Sequence, residues 1–170
     1  MKIDENKLKR QRRAIDVWKS SGYRGTIEAV TGFGKTFVAS LIIQDMNKKY
    51  PHNITLVIVP TRYLLDQWKK EIETHDLKGV SVMVINTGVK AIRQTDLLVL
   101  DEIHNYASDI FKSIFTLTHY SYILGLTATL ERSDKKHYII ENECPVVDLS
   151  LIHISEPTRP RLISYAVFCL

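Results

Sequence analysis

The sequence predicts an α/β domain built on a mostly parallel sheet with helices on both faces. Short apolar runs alternate along the chain with longer segments whose apolar residues recur at helical spacing. The predicted strands cover residues 25–30, 54–59, 80–85, 97–100, 122–126 and 144–149. The predicted helices cover residues 35–50, 62–74 and 106–118. Polar motifs follow the ends of several of these strands, and sheets of this class bind ligands beyond the carboxyl ends of their strands.

Two segments show why each element type is predicted. The run ITLVIV at 54–59 is apolar and rich in β-branched residues, as expected for a parallel strand buried on both faces. Residues 35–50 instead repeat apolar side chains at helical spacing, and Pro51 ends the pattern. In the helix predicted at 62–74, Trp68 falls on the apolar face, so we interpret it as core packing rather than as a base-stacking residue.

The composition is that of an ordinary globular protein. The chain has 170 residues, of which 45% are hydrophobic and 25% charged, a size that favours one domain. No apolar run approaches the ~20 residues of a membrane span, and residues 1–13 lack the apolar core of a signal peptide. We therefore expect a cytoplasmic protein that does not enter a membrane. The net charge of +4 is compatible with a nucleic-acid partner and equally with a solvated basic surface.

The segment 29–36, with the sequence AVTGFGKT, has the pattern of a phosphate-binding loop between a strand and a helix. Two glycines allow a tight turn whose backbone N–H groups point at phosphate oxygens, and the next helix adds the positive end of its dipole. Lys35 can reach the outer phosphates, and the Thr36 hydroxyl can bind Mg²⁺. The nucleotide-binding residues predicted here are Thr31, Gly32, Phe33, Gly34, Lys35 and Thr36.

An acidic pair, Asp101 and Glu102, follows the fully apolar strand predicted at 97–100. Such pairs also occur as helix caps, but a phosphate loop elsewhere in the chain favours a catalytic role. Asp101 would help to hold Mg²⁺, as a strand-end Asp does in other phosphate-loop enzymes. Glu102 would orient and deprotonate the attacking water as a general base.

With these elements in this order, the chain resembles the first RecA-like lobe of superfamily-two helicases and translocases. It is most similar to the DExH branch that contains excision-repair-type helicases, phage helicases and the helicase subunits of type III restriction enzymes. The resemblance covers roughly residues 8–148 and rests on motifs that are specific jointly. It implies a RecA-like P-loop NTPase domain that uses ATP and Mg²⁺ and couples ATP hydrolysis to movement along DNA or unwinding of it.

The resemblance also assigns residues that couple the nucleotide to the rest of the motor. The sequence 101–104 matches the DExH motif, and the resemblance implies four catalytic residues, Lys35, Asp101, Glu102 and His104. Of these, His104 would couple the state of the nucleotide to the rest of the motor. The run Thr127-Ala128-Thr129 resembles the motif that links hydrolysis to strand movement. Two plainer interpretations stay open: His104 could simply hydrogen-bond at a strand end, and the threonines could cap a strand-to-helix turn.

Other positions resemble nucleic-acid and adenine contacts. Thr61 and Arg62 match the motif that grips a strand backbone, where a helix N-terminus also attracts phosphates. Thr87 and Gly88 follow the third predicted strand, where a plain turn fits equally well. By resemblance Gln11 would read the adenine edge, since an amide both donates and accepts. The basic run at 7–13 is most simply a solvated helix face.

The predicted partners are DNA, as a single strand or a duplex junction, and a second RecA-like lobe that this sequence lacks. Because that lobe supplies transition-state arginines, we expect these residues alone to bind ATP and Mg²⁺ but to hydrolyse ATP poorly. One alternative is a P-loop NTPase of another class, such as a nucleotide switch or a kinase-like enzyme. Another is a non-catalytic binding module.

The end of the chain resembles a translated sequencing adapter. Residues 149–159 and 163–170 match the two parts of a transposase-based adapter in one reading frame, separated by a gap that fits a sample index. We therefore assign residues 1–148 to the ATP-binding lobe and treat 149–170 as adapter read-through that is left out of fold reasoning. The expectation is that the natural chain continues beyond about Asp148.

Overall fold

The computed structural model describes residues 5–85, 93–106, 108–128 and 142–147, with side chains at 108 and 111 left out. The helices are α1 (Glu5–Ser20), α2 (Lys35–Lys49), α3 (Arg62–Thr74) and α4 (Ser108–Leu117), and a 3₁₀ turn covers Ile103–Asn105. The strands are β1 (Arg24–Glu28), β2 (Thr55–Val59), β3 (Val80–Val84), β4 (Arg93–Asp101) and β5 (Thr118–Thr127).

All five strands form one parallel sheet in the order β1-β5-β4-β2-β3. This confirms the predicted α/β class. The order places β5 between β1 and β4, although β5 is the last strand in sequence. As a result, the ends of β1, β4 and β5 lie side by side at one edge of the sheet. Glu28 pairs with Thr127, and Asp101 pairs with Leu126.

Successive side chains of β4 point to opposite faces of the sheet, so they contribute to two separate parts of the hydrophobic core. Leu97 and Val99 pack with residues of α1, α2 and α3 on one face. Leu98 and Leu100 pack with the 3₁₀ turn, α4 and Cys144 on the other. Because successive strand side chains point to opposite faces, a strand covered on both sides must be apolar throughout. The predicted helices on both faces are therefore confirmed.

Several boundaries differ from the sequence prediction, most of all the starts of β4 and β5. β4 and β5 begin four residues earlier than expected, at Arg93 and Thr118. The added residues are mostly polar and pair with one another in register, so hydrophobic periodicity could not detect them. α4 begins at residue 108 rather than at Tyr106, which is instead buried beneath the sheet edge.

The prediction of a strand at 144–149 was wrong within the described residues. The structure has only an isolated parallel bridge there, between Val146 and Thr26. Thr26 donates its N–H to Pro145 O (2.7 Å), and Val147 donates to Thr26 O (2.9 Å). Pro145 has no N–H of its own to extend this ladder, which limits the pairing. Among the described helices, none is long and apolar enough to cross a membrane.

Candidate functional site

The loop between β1 and α2 has the backbone that a phosphate-binding turn requires. Gly32 and Gly34 have φ angles of 86° and 85°, in the left-handed region that favours glycine. A Cβ at Gly34 would lie 2.8 Å from the side-chain amide nitrogen of Gln11, so a larger residue would displace that side chain. α2 starts directly after Gly34, and its amino-terminal N–H groups therefore lie at the loop.

The loop is anchored to α1 through its central residue. Phe33 is buried in the core, so its backbone rather than its side chain is available to a ligand. Gln11 is also buried, and its Nε2 donates to Phe33 O at 2.6 Å. Thr31 and Gly32, directly before Phe33, are exposed. The structure thus gives Gln11 a role in bracing the loop, and its contact with adenine stays a prediction.

Lys35 lies between the phosphate loop and the acidic pair. Its ammonium donates to Ala29 O at 3.3 Å and lies 3.6 Å from Glu102 Oε1. The Lys35 side chain is only 10% exposed, against 25% for that of Glu102. The first residue of α2 and the residue after β4 therefore meet across the end of β5, which lies between β1 and β4. Both motifs follow carboxyl ends of strands at the same edge of the sheet.

Asp101 is buried at the end of β4, with a protein donor on each carboxylate oxygen. Trp68 Nε1 donates to Oδ2 at 2.8 Å, and the backbone N–H of Glu102 donates to Oδ1 at 3.0 Å. Burial raises the pKa of the Asp101 carboxyl. The Trp68 hydrogen bond and the Lys35 charge lower this pKa, whereas the charge of Glu102 raises it.

Glu102 has a backbone conformation that non-glycine residues rarely adopt, with φ 49° and ψ 49°. Residues held in such conformations concentrate at functional sites, where neighbouring structure fixes them. Its buried Oε2 has no hydrogen-bond partner among the described residues, although His104 Nδ1 lies 3.4 Å away. A carboxylate oxygen with spare accepting capacity is what a general base needs to hold a water.

His104 connects the acidic pair to the end of β5. Its Nδ1 lies 2.8 Å from Thr127 Oγ1, a hydrogen bond whose direction depends on the imidazole tautomer. Thr127 also accepts the Ala29 N–H at 3.0 Å through its backbone oxygen, at the start of the phosphate loop. We call Lys35, Glu102, His104 and Thr127 the strand-end cluster, because these contacts join the ends of three strands.

These residues fit a magnesium-bound nucleoside triphosphate. Mg²⁺ prefers oxygen ligands and usually takes one or two carboxylates together with phosphate oxygens. Asp101 and the Thr36 hydroxyl would supply ligands of that kind, while Lys35 and the loop N–H groups would supply the positive charge for the phosphates. Within the described part of the chain, no group of three or more His, Cys, Asp or Glu side chains could hold a metal by itself.

The second set of predicted residues lies where α3 starts after β2, which two strands separate from β1 and the phosphate loop. Thr61 caps α3, and its hydroxyl accepts the Leu64 N–H at 3.3 Å. Thr61, Arg62 and Tyr63 are all exposed, Tyr63 to 72%. We call these three residues the α3 start. Ala128 follows β5 and is half-buried. The predicted contacts Thr87, Gly88 and Thr129 lie outside the described residues.

Two residues of the site were not predicted as part of it. Helical periodicity placed Trp68 on the apolar face of α3, and it is indeed buried, but periodicity cannot name the acceptor of its indole N–H. The buried Tyr106 hydroxyl lies 2.8 Å from Asp101 O and 2.7 Å from Ile58 O, joining the ends of β4 and β2. Burial raises the pKa of Tyr106 well above its ordinary value, which keeps it a donor.

The fold and this site together define the class of protein: the RecA-like, ATP-binding lobe of superfamily-two helicases and translocases. Within that class, the chain belongs to the family described as type III restriction enzyme, res subunit, which it matches over residues 5–94 and 86–132. Membership implies the use of a nucleotide, in agreement with the phosphate loop and the acidic pair.

Curated relatives carry helicase and translocase names. The chain is 33% identical to "DNA 3'-5' translocase XPB2" of Sulfurisphaera tokodaii, over 75% of this chain and 31% of the relative. It is 35% identical to "Putative ATP-dependent RNA helicase QP509L" of African swine fever virus, over 76% of this chain and 28% of the relative. The chain thus spans about a third of the length of these relatives.

Solved structures confirm the fold. The SWI2/SNF2 ATPase core of Sulfolobus solfataricus in complex with dsDNA superposes with a TM-score of 0.65 at 18% identity, over 85% of this chain and 36% of that one. The UvsW helicase of bacteriophage T4 superposes with a TM-score of 0.64 at 20% identity, over 76% and 56%. Both are helicase or ATPase cores, as the predicted RecA-like fold requires.

Proposed function

We propose that this domain binds ATP with Mg²⁺ and, together with a second RecA-like lobe, couples ATP hydrolysis to movement along DNA or unwinding of it. The observation that carries the proposal is the 3.6 Å contact between Lys35 and Glu102. It brings a phosphate-binding lysine and a candidate general base together at one edge of the sheet. A binding module or a kinase-like enzyme would not account for the family match or for the helicase and translocase relatives.

In this proposal each residue has a defined task. Lys35 and the loop hold the phosphates, and Thr36 and Asp101 hold Mg²⁺, which neutralises charge on the phosphates when bound. Glu102 orients and deprotonates the attacking water. His104 relays the position of Glu102 to Thr127 through the contacts of the strand-end cluster.

The nucleic acid is proposed to bind at the α3 start and at the ends of the neighbouring strands. Arg62 is exposed beside the helix N-terminus, where phosphate is attracted by both charge and dipole. Such binding is directed at the backbone, so we expect little sequence preference and a strong dependence on salt. Thr87, Gly88, Ala128 and Thr129 complete the proposed contacts by resemblance.

The discriminating experiment is ATP hydrolysis by the full-length protein with and without single-stranded DNA. The proposal predicts stimulation by DNA, because closure of two lobes on the nucleic acid completes the catalytic site. Equal rates with and without DNA would contradict the translocase role and favour a P-loop NTPase of another class. A strand-separation assay on a duplex with a single-stranded tail then shows whether the protein unwinds DNA or only moves along it.

RNA is a second candidate substrate, since the African swine fever virus relative carries the name of an RNA helicase. Contacts of the α3 start with the sugar-phosphate backbone would suit DNA and RNA alike. Matched DNA and RNA oligonucleotides in the same hydrolysis assay decide between them: greater stimulation by DNA supports the first proposal, and greater stimulation by RNA replaces it.

The second lobe and the adapter origin of residues 149–170 are proposals that one measurement tests. Long-read sequencing of the source DNA across the codon for Asp148 should reveal an in-frame second lobe with an arginine-bearing motif. Genomic DNA that encodes residues 149–170 and then a stop codon would contradict both proposals.

A further inference from the structure

Trp68 is the one tryptophan of the described residues whose indole N–H is donated to an ionisable group. Its Nε1 lies 2.8 Å from Asp101 Oδ2, and both side chains are buried. The other tryptophan, Trp18, is equally buried but donates to a backbone oxygen, that of Ile123, at 3.0 Å. Buried tryptophans usually find a partner for this N–H. At Trp68 that partner is the carboxylate assigned to Mg²⁺.

The two donors to Asp101 fix the orientation of its carboxylate. Oδ2 accepts from Trp68, and Oδ1 accepts from the backbone of Glu102. Each carboxylate oxygen can accept two hydrogen bonds or ligands, so with one donor on each among the described residues, each has a further position for a metal ion or its water. The two protein donors therefore hold the group in place without occupying all of its binding capacity.

We propose that Trp68 is a positioning residue that holds Asp101 in the orientation required for Mg²⁺ bound with the nucleotide. The inference rests on the proposed function, since it concerns the same metal site. Supporting residues that orient a metal ligand commonly decide its affinity for the ion. Trp68 is suited to this role because a fully packed indole has one fixed donor, unlike water or a flexible side chain.

The helix that carries Trp68 also forms part of the proposed nucleic-acid surface. α3 begins at the α3 start, where the nucleic acid is proposed to bind, and two turns later supplies the donor to Asp101. One rigid helix thus joins an exposed surface to the buried metal ligand.

The first test leaves Trp68 intact and follows the indole N–H resonances of the ¹⁵N-labelled chain. The sequence contains two tryptophans, so two indole resonances are expected, and Trp18→Phe and Trp68→Phe assign them. The chain is saturated with the ATP analogue AMP-PNP, and Mg²⁺ is then titrated in. We expect the Trp68 resonance to shift with Mg²⁺ while the Trp18 resonance stays in place. An unmoved Trp68 resonance in a sample that binds Mg²⁺ would overturn the inference.

The second test compares the same substitution at both tryptophans. Trp68→Phe keeps an aromatic ring but removes the donor, so we expect half-maximal AMP-PNP binding to require about 10–100-fold more Mg²⁺, as for loss of one hydrogen bond to a charged acceptor. Binding in the presence of EDTA should not change. Trp18→Phe is the matched control and should leave the Mg²⁺ requirement within about twofold of the original. A folded Trp68→Phe variant with an unchanged or lower Mg²⁺ requirement would refute the inference.

The design separates failure of the inference from failure of the proposed function. If the unsubstituted chain binds AMP-PNP with no dependence on Mg²⁺, the proposed metal site is wrong and the inference falls with it. If its binding depends on Mg²⁺ but Trp68 responds in neither test, the proposed function stands and the inference alone is wrong. Should Trp68→Phe fail to fold, the resonance measurement on the unsubstituted chain decides, with Trp18→Phe for assignment.

Discussion

The strand-end cluster and the α3 start differ in how their side chains are held. In the cluster, Glu102 contacts both Lys35 and His104, and His104 contacts Thr127, so each side chain has its position set by another. At the α3 start, Arg62 and Tyr63 are exposed, and the hydroxyl of Thr61 is used to cap the helix. In the strand-end cluster the side chains hold one another in position, whereas the α3 start presents charge and N–H groups to solvent.

In the proposed function this difference corresponds to two kinds of chemistry within one lobe. Hydrolysis requires a base and a metal ligand at defined positions, so groups that fix one another are expected there. Backbone binding of nucleic acid requires mainly positive charge, and each contact contributes a similar, salt-sensitive amount. Substitutions in the strand-end cluster should therefore have large effects on turnover, while those at the α3 start should have small effects on affinity.

The largest effect is expected for Glu102→Gln in the full-length protein. The amide keeps the shape of the side chain but cannot take a proton, so ATP turnover should fall by about 10²–10⁴-fold, the usual contribution of a general base. ATP affinity should be retained. Steady-state hydrolysis and nucleotide binding are measured on the same preparation.

Glu73→Gln is the matched control, since Glu73 is exposed on α3 and the same change should leave turnover unaltered. Turnover retained in Glu102→Gln would remove Glu102 from the role of base. A loss as large in Glu73→Gln would show that the effect is not specific to the strand-end cluster.

Gly125→Ala tests the close packing of β5 against β1 and Cys144, outside the strand-end cluster. Gly125 lies in β5 opposite Thr26, and an added Cβ would clash with Thr26 Oγ1 and come within 3.2 Å of Cys144 Sγ. We expect a loss of about 1–3 kcal/mol in unfolding free energy from this overpacking, measured by urea denaturation. Gly22→Ala, where a Cβ would meet nothing within 4 Å, should cost less despite its positive φ. Equal losses would contradict the steric account.

A smaller effect is expected for Gln11→Ala, which removes the donor to Phe33 O. Leaving a buried carbonyl unsatisfied should weaken nucleotide binding about tenfold. Because the donated N–H braces the loop, ATP and GTP affinities should fall by the same factor. A loss confined to ATP would instead support the predicted adenine contact. Gln44→Ala is the matched control, since it removes a similar amide contact, to His75 O at 3.2 Å, away from the loop.

The smallest effect is expected for Arg62→Ala at the α3 start. One phosphate contact fewer should reduce the slope of log affinity against log salt by about 1 and weaken binding uniformly across sequences. Fluorescence anisotropy with single-stranded oligonucleotides over a range of salt measures both quantities. Lys48→Ala, at the far end of α2, removes the same charge and should leave the slope nearly unchanged. Identical slopes for the two variants would argue against binding at the α3 start.

Sequence reasoning identified the elements whose chemistry requires a fixed spacing. The glycines and Lys35 of the loop, and the Asp-Glu pair after an apolar strand, can be recognised because the proposed phosphate and metal binding depends on a local sequence pattern. The polar first residues of β4 and β5 were missed, because their pairing satisfies backbone hydrogen bonds without hydrophobic alternation. The partner of Trp68 could not be predicted either, since it depends on how α3 packs against β4, a tertiary contact between residues 33 positions apart.

The most direct test of the central claim is calorimetric titration of this chain with Mg²⁺ and AMP-PNP, compared with Lys35→Ala. Lys35 lies at a loop–helix junction, so its loss should abolish measurable nucleotide binding while the circular dichroism spectrum is preserved. Lys48→Ala, which removes a charge from the exposed end of α2, should bind as the unsubstituted chain does. Unchanged nucleotide affinity in Lys35→Ala would contradict the assigned site and, with it, the account of this lobe as an ATP-binding motor domain.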